Sequence, residues 1–218
     1  MTFANSNVGY VNGLKTIDGG LTWTPQSGSE NFMHLHALSE NHILASMDIG
    51  GGNTLFESTD GGLTWTNTVS TALQNLDQVH GYATREFSFI DDQTGYVALQ
   101  NLSFAYADTL WIMKTLDSGN TWSFVSVSSP TPTPGGGFGL YGLRALDFAT
   151  LDTGLVIHDF GLLRTTDGGN SWSEVRPLSA PSNFGFTTIY ANTGNHLIVG
   201  GFVPFTTNVV EILYESFD

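Results

Sequence analysis

Four copies of one turn motif, a weaker pattern ahead of each copy, and short apolar runs broken by Gly, Thr, Ser and Asn predict an all-β fold. The architecture they predict is a β-propeller of four-stranded antiparallel blades, four of them complete and a fifth incomplete. Gly supplies 26 of the 218 residues and charged side chains only 12%, which is the composition of many strands joined by many turns. A chain of this length can bury a substantial core.

The turn motif occurs at Lys15-Thr16-Ile17-Asp18-Gly19-Gly20-Leu21-Thr22-Trp23, Glu57-Ser58-Thr59-Asp60-Gly61-Gly62-Leu63-Thr64-Trp65, Lys114-Thr115-Leu116-Asp117-Ser118-Gly119-Asn120-Thr121-Trp122 and Arg164-Thr165-Thr166-Asp167-Gly168-Gly169-Asn170-Ser171-Trp172. Each reads Ser/Thr, any residue, Asp, any residue, Gly, any residue, Ser/Thr, Trp. Asp can accept hydrogen bonds from backbone N–H groups inside a tight hairpin, and Gly tolerates the positive φ that such a turn demands. The Trp begins the next strand, where its ring can fill the gap against a neighbouring sheet. Asp18, Asp60, Asp117 and Asp167, with Trp23, Trp65, Trp122 and Trp172, are therefore expected to be structural.

The weaker pattern fixes what lies between the motifs. Phe87-Ser88-Phe89-Ile90-Asp91-Asp92-Gln93-Thr94-Gly95-Tyr96-Val97 matches Met1-Thr2-Phe3-Ala4-Asn5-Ser6-Asn7-Val8-Gly9-Tyr10-Val11 position for position, and residues 146–156 fit as well. Looser versions span 35–45 and 187–199. Each unit then reads strand, polar turn, strand, hairpin, strand, turn motif and Trp-led strand, a four-stranded meander. The motif aspartates are 42, 57 and 50 residues apart, close to the roughly 40–50 residues of a propeller blade. The blades are expected at about 1–27, 31–69, 85–128, 144–178 and 185–218, within one domain, 1–218. Leu213-Tyr214-Glu215-Ser216-Phe217-Asp218 resembles Leu55-Phe56-Glu57-Ser58-Thr59-Asp60, so the fifth motif stops at its Asp. The expectation is a part of a longer propeller protein, or an incomplete ring with an unpaired sheet edge.

Charge narrows the partners. The net charge of −14 comes from 20 acidic residues against six Lys plus Arg, which opposes a phosphate-tracking surface and adsorption to anionic lipid. No apolar run approaches the ~20 residues of a spanning helix, so neither nucleic acid nor membrane insertion is expected. The absence of Cys excludes disulfides and thiolate metal sites. The N-terminus lacks the basic and long apolar regions of a signal peptide.

The recurring turns are similar to the Asp boxes of the bacterial neuraminidase repeat superfamily. With the Phe-x-Asp-x-x-Thr-Gly-Tyr type of pattern ahead of them, they most resemble the photosystem II stability/assembly factor family, over nearly the whole chain. The resemblance implies a sialidase-like propeller that acts as a non-catalytic scaffold binding other proteins, outside the cytoplasm: secreted, periplasmic or on the cell surface. Propellers of this type also occur as repeat modules in bacteria that do no photosynthesis, and nothing in the residues points to a photosystem partner.

Arg85 and Arg144 are the sharpest candidates for a site, because each stands two residues before the aligned Phe87 and Leu146 on consecutive units. If that strand is innermost, both guanidinium groups approach one rim, where a carboxylate or phosphate can be held bidentately. The resemblance supports this, since sialidases gather arginines around a substrate carboxylate. The alternative is that each Arg pairs with a local acid such as Glu86 or Asp147. Met33 and Gly185 stand at the corresponding places of two other units. The segments 69–84 and 128–142 read as long loops leading to the arginines, the second bringing Phe138, Leu140 and Tyr141 as apolar grip. The ligand- or partner-binding set is thus Arg85, Arg144, Glu86, Tyr82, Phe138 and Tyr141.

Catalysis is the weaker reading. The motif aspartates recur once per blade and so lie far apart, whereas glycosidase carboxylates sit ~5–10 Å from each other. A sialidase mechanism needs a Tyr nucleophile with a Glu base, for which Tyr82, Tyr141 and Glu86 are the available residues, joined by no motif. His34 and His36 share one face of a strand but have no third ligand at a useful spacing. No metal or cofactor is expected. The leading expectation is a protein-binding scaffold, and the alternative a sialidase-like glycoside hydrolase or carbohydrate-binding propeller.

Overall fold

Turn residues at short intervals keep the strands brief, and each strand pairs antiparallel with the next along the chain. The computed structural model describes residues 1–11, 13–26, 32–47, 55–67, 82–101, 110–128, 143–158, 161–175, 185–193, 196–202 and 211–216. The first sheet holds β1 (Thr2–Phe3), β2 (Gly9–Val11), β3 (Leu14–Thr16) and β4 (Thr24–Pro25). The second holds β5 (Phe32–Ala37), β6 (Ile43–Met47), β7 (Leu55–Ser58) and β8 (Thr66–Asn67). The third holds β9 (Tyr82–Phe89), β10 (Gly95–Asn101), β11 (Leu110–Thr115) and β12 (Ser123–Ser128). The fourth holds β13 (Leu143–Phe148), β14 (Gly154–His158), β15 (Gly161–Thr165) and β16 (Ser173–Val175), and β17 (Gly185–Thr193), β18 (His196–Phe202) and β19 (Glu211–Ser216) form a three-stranded fifth. Every sheet is a meander. Among the described residues, no helix is long and apolar enough to cross a membrane.

The sheets stack face to face, and the cores lie in the seams between them. Along β10, Tyr96 and Ala98 enter the seam with the fourth sheet, beside Leu146, Phe148 and Val156. Val97 and Leu99, one step along the pleat, enter the seam with the second sheet, beside Leu44, Leu55 and Trp122. Opposite pointing of successive side chains thus serves two seams from one strand. It also explains why the middle strands read as unbroken apolar runs, Ile43-Leu44-Ala45 and Leu155-Val156-Ile157, all buried. Each such side chain contributes about 1.5–3 kcal/mol on burial. Val8, Tyr10, Ala37 and Ile43 fill the seam of the first and second sheets, and Leu155, Ile157, Phe186 and Val199 that of the fourth and fifth.

Polar groups lock two of the seams. Tyr10 Oη donates to the Glu40 carbonyl at 2.6 Å, while Lys15 Nζ donates to the Gly61 carbonyl at 3.0 Å and lies 5.2 Å from the Tyr10 ring centre. Two sheets on, Tyr96 Oη donates to the Leu151 carbonyl at 2.8 Å and Lys114 Nζ lies 5.2 Å over Tyr96. The first strands of successive sheets contact one another, β1 with β5, β5 with β9, β9 with β13 and β13 with β17. They form the inner side of the stack.

One boundary differs from expectation. Residues 82–84, read from the sequence as the end of a loop, belong to β9, because the long β10 offers partners to them: Asn101 pairs with Tyr82, Gln100 with Ala83 and Leu99 with Thr84.

Candidate functional site

The four turns share one hydrogen-bond scheme. In the third, Thr115 Oγ1 donates to Asp117 Oδ1 at 2.8 Å and accepts from the Gly119 N–H at 2.8 Å. The same Asp117 carboxylate accepts from the Thr121 N–H at 2.8 Å and from Thr121 Oγ1 at 2.6 Å. Asp18, Asp60 and Asp167 repeat these contacts with Thr22, Thr64 and Ser171. The hydrogen bonds from Thr22 and Thr16 hold Asp18 down at about 2, and those from Thr64 and Ser58 hold Asp60 there too. At Asp117 burial pushes upward, yet the bonds from Thr121 and Thr115 prevail and the carboxyl stays below its ordinary value. These carboxylates are ionised, saturated and committed to their own turns. Ser118 occupies the left-handed conformation, φ 62°, that Gly19, Gly61 and Gly168 take in the other turns.

The tryptophans carry each turn into a seam. Trp122 and Trp172 pack in the seam between their own sheet and the preceding one, and Trp65 does the same against Val8 and Tyr10. Trp172 Nε1 donates to the Gly169 carbonyl at 3.0 Å and Trp23 Nε1 to that of Gly20 at 3.1 Å.

The inner strands build a different place. In β9 the pairing with β10 slips between Glu86, opposite Ala98, and Thr84, opposite Leu99, so that Arg85 is an extra residue. In β13 the slip lies between Ala145, opposite Ile157, and Leu143, opposite His158, which makes Arg144 the extra residue there. Both arginines therefore sit at β-bulges in the same register position of adjacent strands. Arg144 is exposed. The side chains of Arg85 and Tyr82 lie outside the described residues, as do Phe138, Tyr141 and most of the two loops. The same register corrects one correspondence. The counterpart in the fifth sheet is Thr187, not Gly185, because β17 slips between Phe186 and Thr188.

Just inside the bulges lies a group of titratable side chains on neighbouring strands. His34 Nδ1 is 4.0 Å from Glu86 Oε2. Burial pushes the Glu86 carboxyl up to about 7, with the Asp147 charge adding to it, against a hydrogen bond from the Phe87 N–H. Asp147 is also raised by burial, although it accepts from Ser88 Oγ at 2.8 Å and from the Ala191 N–H at 2.7 Å. His36, stacked on Phe89 with ring centres 4.7 Å apart, is pushed down by burial to about 4. His34 and His36 thus face different neighbours. Among the described residues, no group of three or more His, Cys, Asp or Glu side chains is arranged to hold a metal ion.

Sequence reasoning missed the role of Ser88 and Asp147. Thr2 Oγ1 accepts from the Ala37 N–H at 3.1 Å, Ser88 Oγ from the Phe148 N–H at 2.9 Å, and Asp147 from the Ala191 N–H. On three of the inner strands, β1, β9 and β13, one polar residue thus takes a backbone N–H of the next sheet. Its signal is the polar residue before an aromatic in Thr2-Phe3, Ser88-Phe89 and Asp147-Phe148.

Stacked antiparallel meanders, with first strands innermost and apolar seams between sheets, define a protein of the β-propeller class. Solved structures share this fold. The structure described as YCF48 bound to D1 peptide aligns at a TM-score of 0.50 with 15% identity, over 83% of this chain and 52% of that one. A GH74 xyloglucanase from Xanthomonas campestris aligns at a TM-score of 0.61 with 16% identity, over 94% of this chain and 32% of the enzyme. The chain thus spans about half of the first and about a third of the second. At such identities the likeness concerns the fold. No family model matches the sequence, and no curated protein is significantly similar to it.

Proposed function

We propose that the chain is a non-catalytic Asp-box propeller scaffold, similar to photosystem II assembly factor-like repeat proteins, that holds a protein partner at the rim where Arg85 and Arg144 enter. The observation that carries this reading is the shared bulge position of the two arginines on adjacent inner strands. Among the other described basic groups, Lys15 and Lys114 clasp neighbouring sheets, and Arg164 is half-buried in β15. In a chain of net charge −14, a pair of arginines at one rim is where an anionic group gains most. The fold shared with YCF48 bound to D1 peptide supports a peptide as the bound species. A single propeller domain over 1–218 and an extracytoplasmic location belong to the same proposal.

Replacing both arginines by Ala is expected to abolish binding of an anionic partner, measured by fluorescence anisotropy with a labelled acidic peptide, while the melting temperature stays within about 2 °C. Unaltered binding would refute the rim as the site. The second reading is a sialidase-like or carbohydrate-binding propeller. It is favoured by the fold shared with a xyloglucanase and by Glu86 and Asp147, two carboxyls with raised values on adjacent strands. Turnover of sialyllactose or a xyloglucan oligosaccharide that disappears in Glu86→Gln would replace the scaffold reading.

A further inference from the structure

Among the described residues, the five most exposed Leu and Ile side chains are Ile17, Leu21, Leu63, Leu116 and Leu151, and all five lie at one end of the stack. Backbone bonds define that end. The N–H groups of Gly19, Gly61, Ser118 and Gly168 donate to the carbonyls of Asn7, Asn41, Gln93 and Asp152, each at 2.9 Å. The motif turn of each sheet is thereby tied to the turn between that sheet's first two strands. Arg85 and Arg144 stand toward the opposite end, near where β9 and β13 begin.

A single exposed leucine is ordinary, but here the positions repeat. Ile17 and Leu116 both stand just before the motif Asp, while Leu21 and Leu63 both stand two residues before the motif Trp. These four side chains are 64–86% exposed. The fourth turn carries Thr166 and Asn170 at the same two places, both exposed, and still forms the shared bonds among Thr165, Asp167, Gly169 and Ser171. Folding of the turn therefore requires no aliphatic residue at either place. Neighbouring ends are also stitched together. Tyr10 and Lys15 donate across the first seam to the Glu40 and Gly61 carbonyls, the Gly119 turn packs on Leu44 across the second, and the Leu151 carbonyl takes Tyr96 Oη across the third. The aliphatic side chains thus belong to one continuous surface over four sheets.

The same end is acidic. Glu40, Asp91, Asp92 and Asp152 are exposed in the first turns of their sheets, and the four motif aspartates add charge although their oxygens are occupied within the turns. Lys15 and Lys114 are half-buried, one bound to the Gly61 carbonyl and the other over the Tyr96 ring. Charge decides what can cover the stripe. A second copy of the chain brings the same net −14, and anionic lipid and nucleic acid carry the same sign, so each is repelled. A cationic partner is attracted by the field and held by the apolar contact.

We propose that this end of the stack docks a cationic amphipathic segment of another protein, its apolar side chains on Ile17, Leu21, Leu63 and Leu116 and its Lys or Arg groups beside Glu40, Asp92 and Asp152. The surface is separate from the arginine rim and does not depend on it.

The test measures anisotropy of a fluorescein-labelled amphipathic peptide of leucine and lysine against the full chain, beside an oligolysine peptide of equal charge. The amphipathic peptide is expected to bind at least about 10-fold more tightly, the difference being apolar contact. Ile17→Thr, Leu21→Asn, Leu63→Asn and Leu116→Thr together install the residues of the fourth turn. They are expected to erase that difference while the melting temperature stays within about 2 °C. Tyr190→Thr, at an exposed position of β17 away from the turns, is expected to change binding less than about 2-fold. Arg85→Ala with Arg144→Ala is expected to leave it unaltered, which separates this surface from the rim. Equal affinity for the two peptides would reduce the attraction to diffuse charge and overturn the stripe. So would parental affinity in the fourfold variant, or a loss in Tyr190→Thr as large as in that variant. Binding of neutral phosphatidylcholine vesicles without binding of the peptide would assign the stripe to lipid. Self-association in sedimentation that the fourfold variant abolishes would assign it to a second copy, and either result overturns the proposal. Circular dichroism confirms folding, and Leu21→Asn with Leu63→Asn repeats the test if the fourfold variant does not fold.

Discussion

The motif aspartates look like candidates for chemistry because they are acidic, recurrent and beside glycine, and their hydrogen bonds assign them to the turn. A carboxylate that accepts from the Thr121 N–H, Thr121 Oγ1 and Thr115 Oγ1 has little capacity left for a substrate or metal. Because the folded values of Asp18 and Asp60 lie near 2, below those of an unfolded chain, their stabilisation is complete above about pH 4 and is lost as pH falls toward 2. Asp117→Ala leaves the Thr121 N–H without its acceptor and is expected to destabilise by about 1–3 kcal/mol, seen as a lowered melting temperature, with peptide affinity unchanged once folded. A variant that melts like the parent but binds less tightly would move Asp117 from the turn to the site.

At the scale of the strand, the local features were legible in the sequence and the relational ones were not. The turns read correctly as tight Asp- and Gly-bearing hairpins because every bond within them joins residues close along the chain, such as Thr165 to Asp167 and Gly169. A bulge is a relation between two strands, invisible until they are paired. Taking 187–199 as the unit gives Thr187 the place of Phe87 and so matches Gly185 to Arg85, whereas the pairing gives that place to Ile189, opposite Val199, and moves the extra residue to Thr187. The carboxyl group of Glu86 belongs to this scale too, since its environment comes from three strands: His34 on β5, Asp147 on β13 and the Phe87 N–H on its own strand, with the Met1 amino group close enough to act on it. Its native carboxyl keeps the proton to about pH 7, whereas the free side chain releases it near 4.5. Protonation therefore stabilises the fold fully below pH 4.5, and this contribution fades as pH rises through 7. His36 acts oppositely, losing stabilisation as pH falls from 6.5 toward 4. Glu86→Gln is expected to remove the decline between pH 5 and 8, an effect on the order of 1 kcal/mol after screening at a partly exposed group. Thermal melts of parent and variant that run parallel over this range would show that Glu86 is ordinary.

For the molecule as a whole, the features that identify the fold and those that suggest a function occupy different parts of each sheet. Tyr96, Val97 and the motif tryptophans serve the seams, and the turn aspartates serve the hairpins, so both are dictated by folding. The bulge positions on the inner strands are set in place by the same register yet differ in residue type from sheet to sheet, which is how a repeat scaffold can keep its architecture while changing its ligand. Hydrogen exchange of the full chain, with and without saturating acidic peptide, tests this division most directly. The bulge amides are outside the ladder and should exchange fast in the free protein. Bound peptide is predicted to slow exchange around Arg85 and Arg144 in β9 and β13 and to leave the four turns at Asp18, Asp60, Asp117 and Asp167 unchanged. Protection at those turns, with none at the inner strands, would contradict the account.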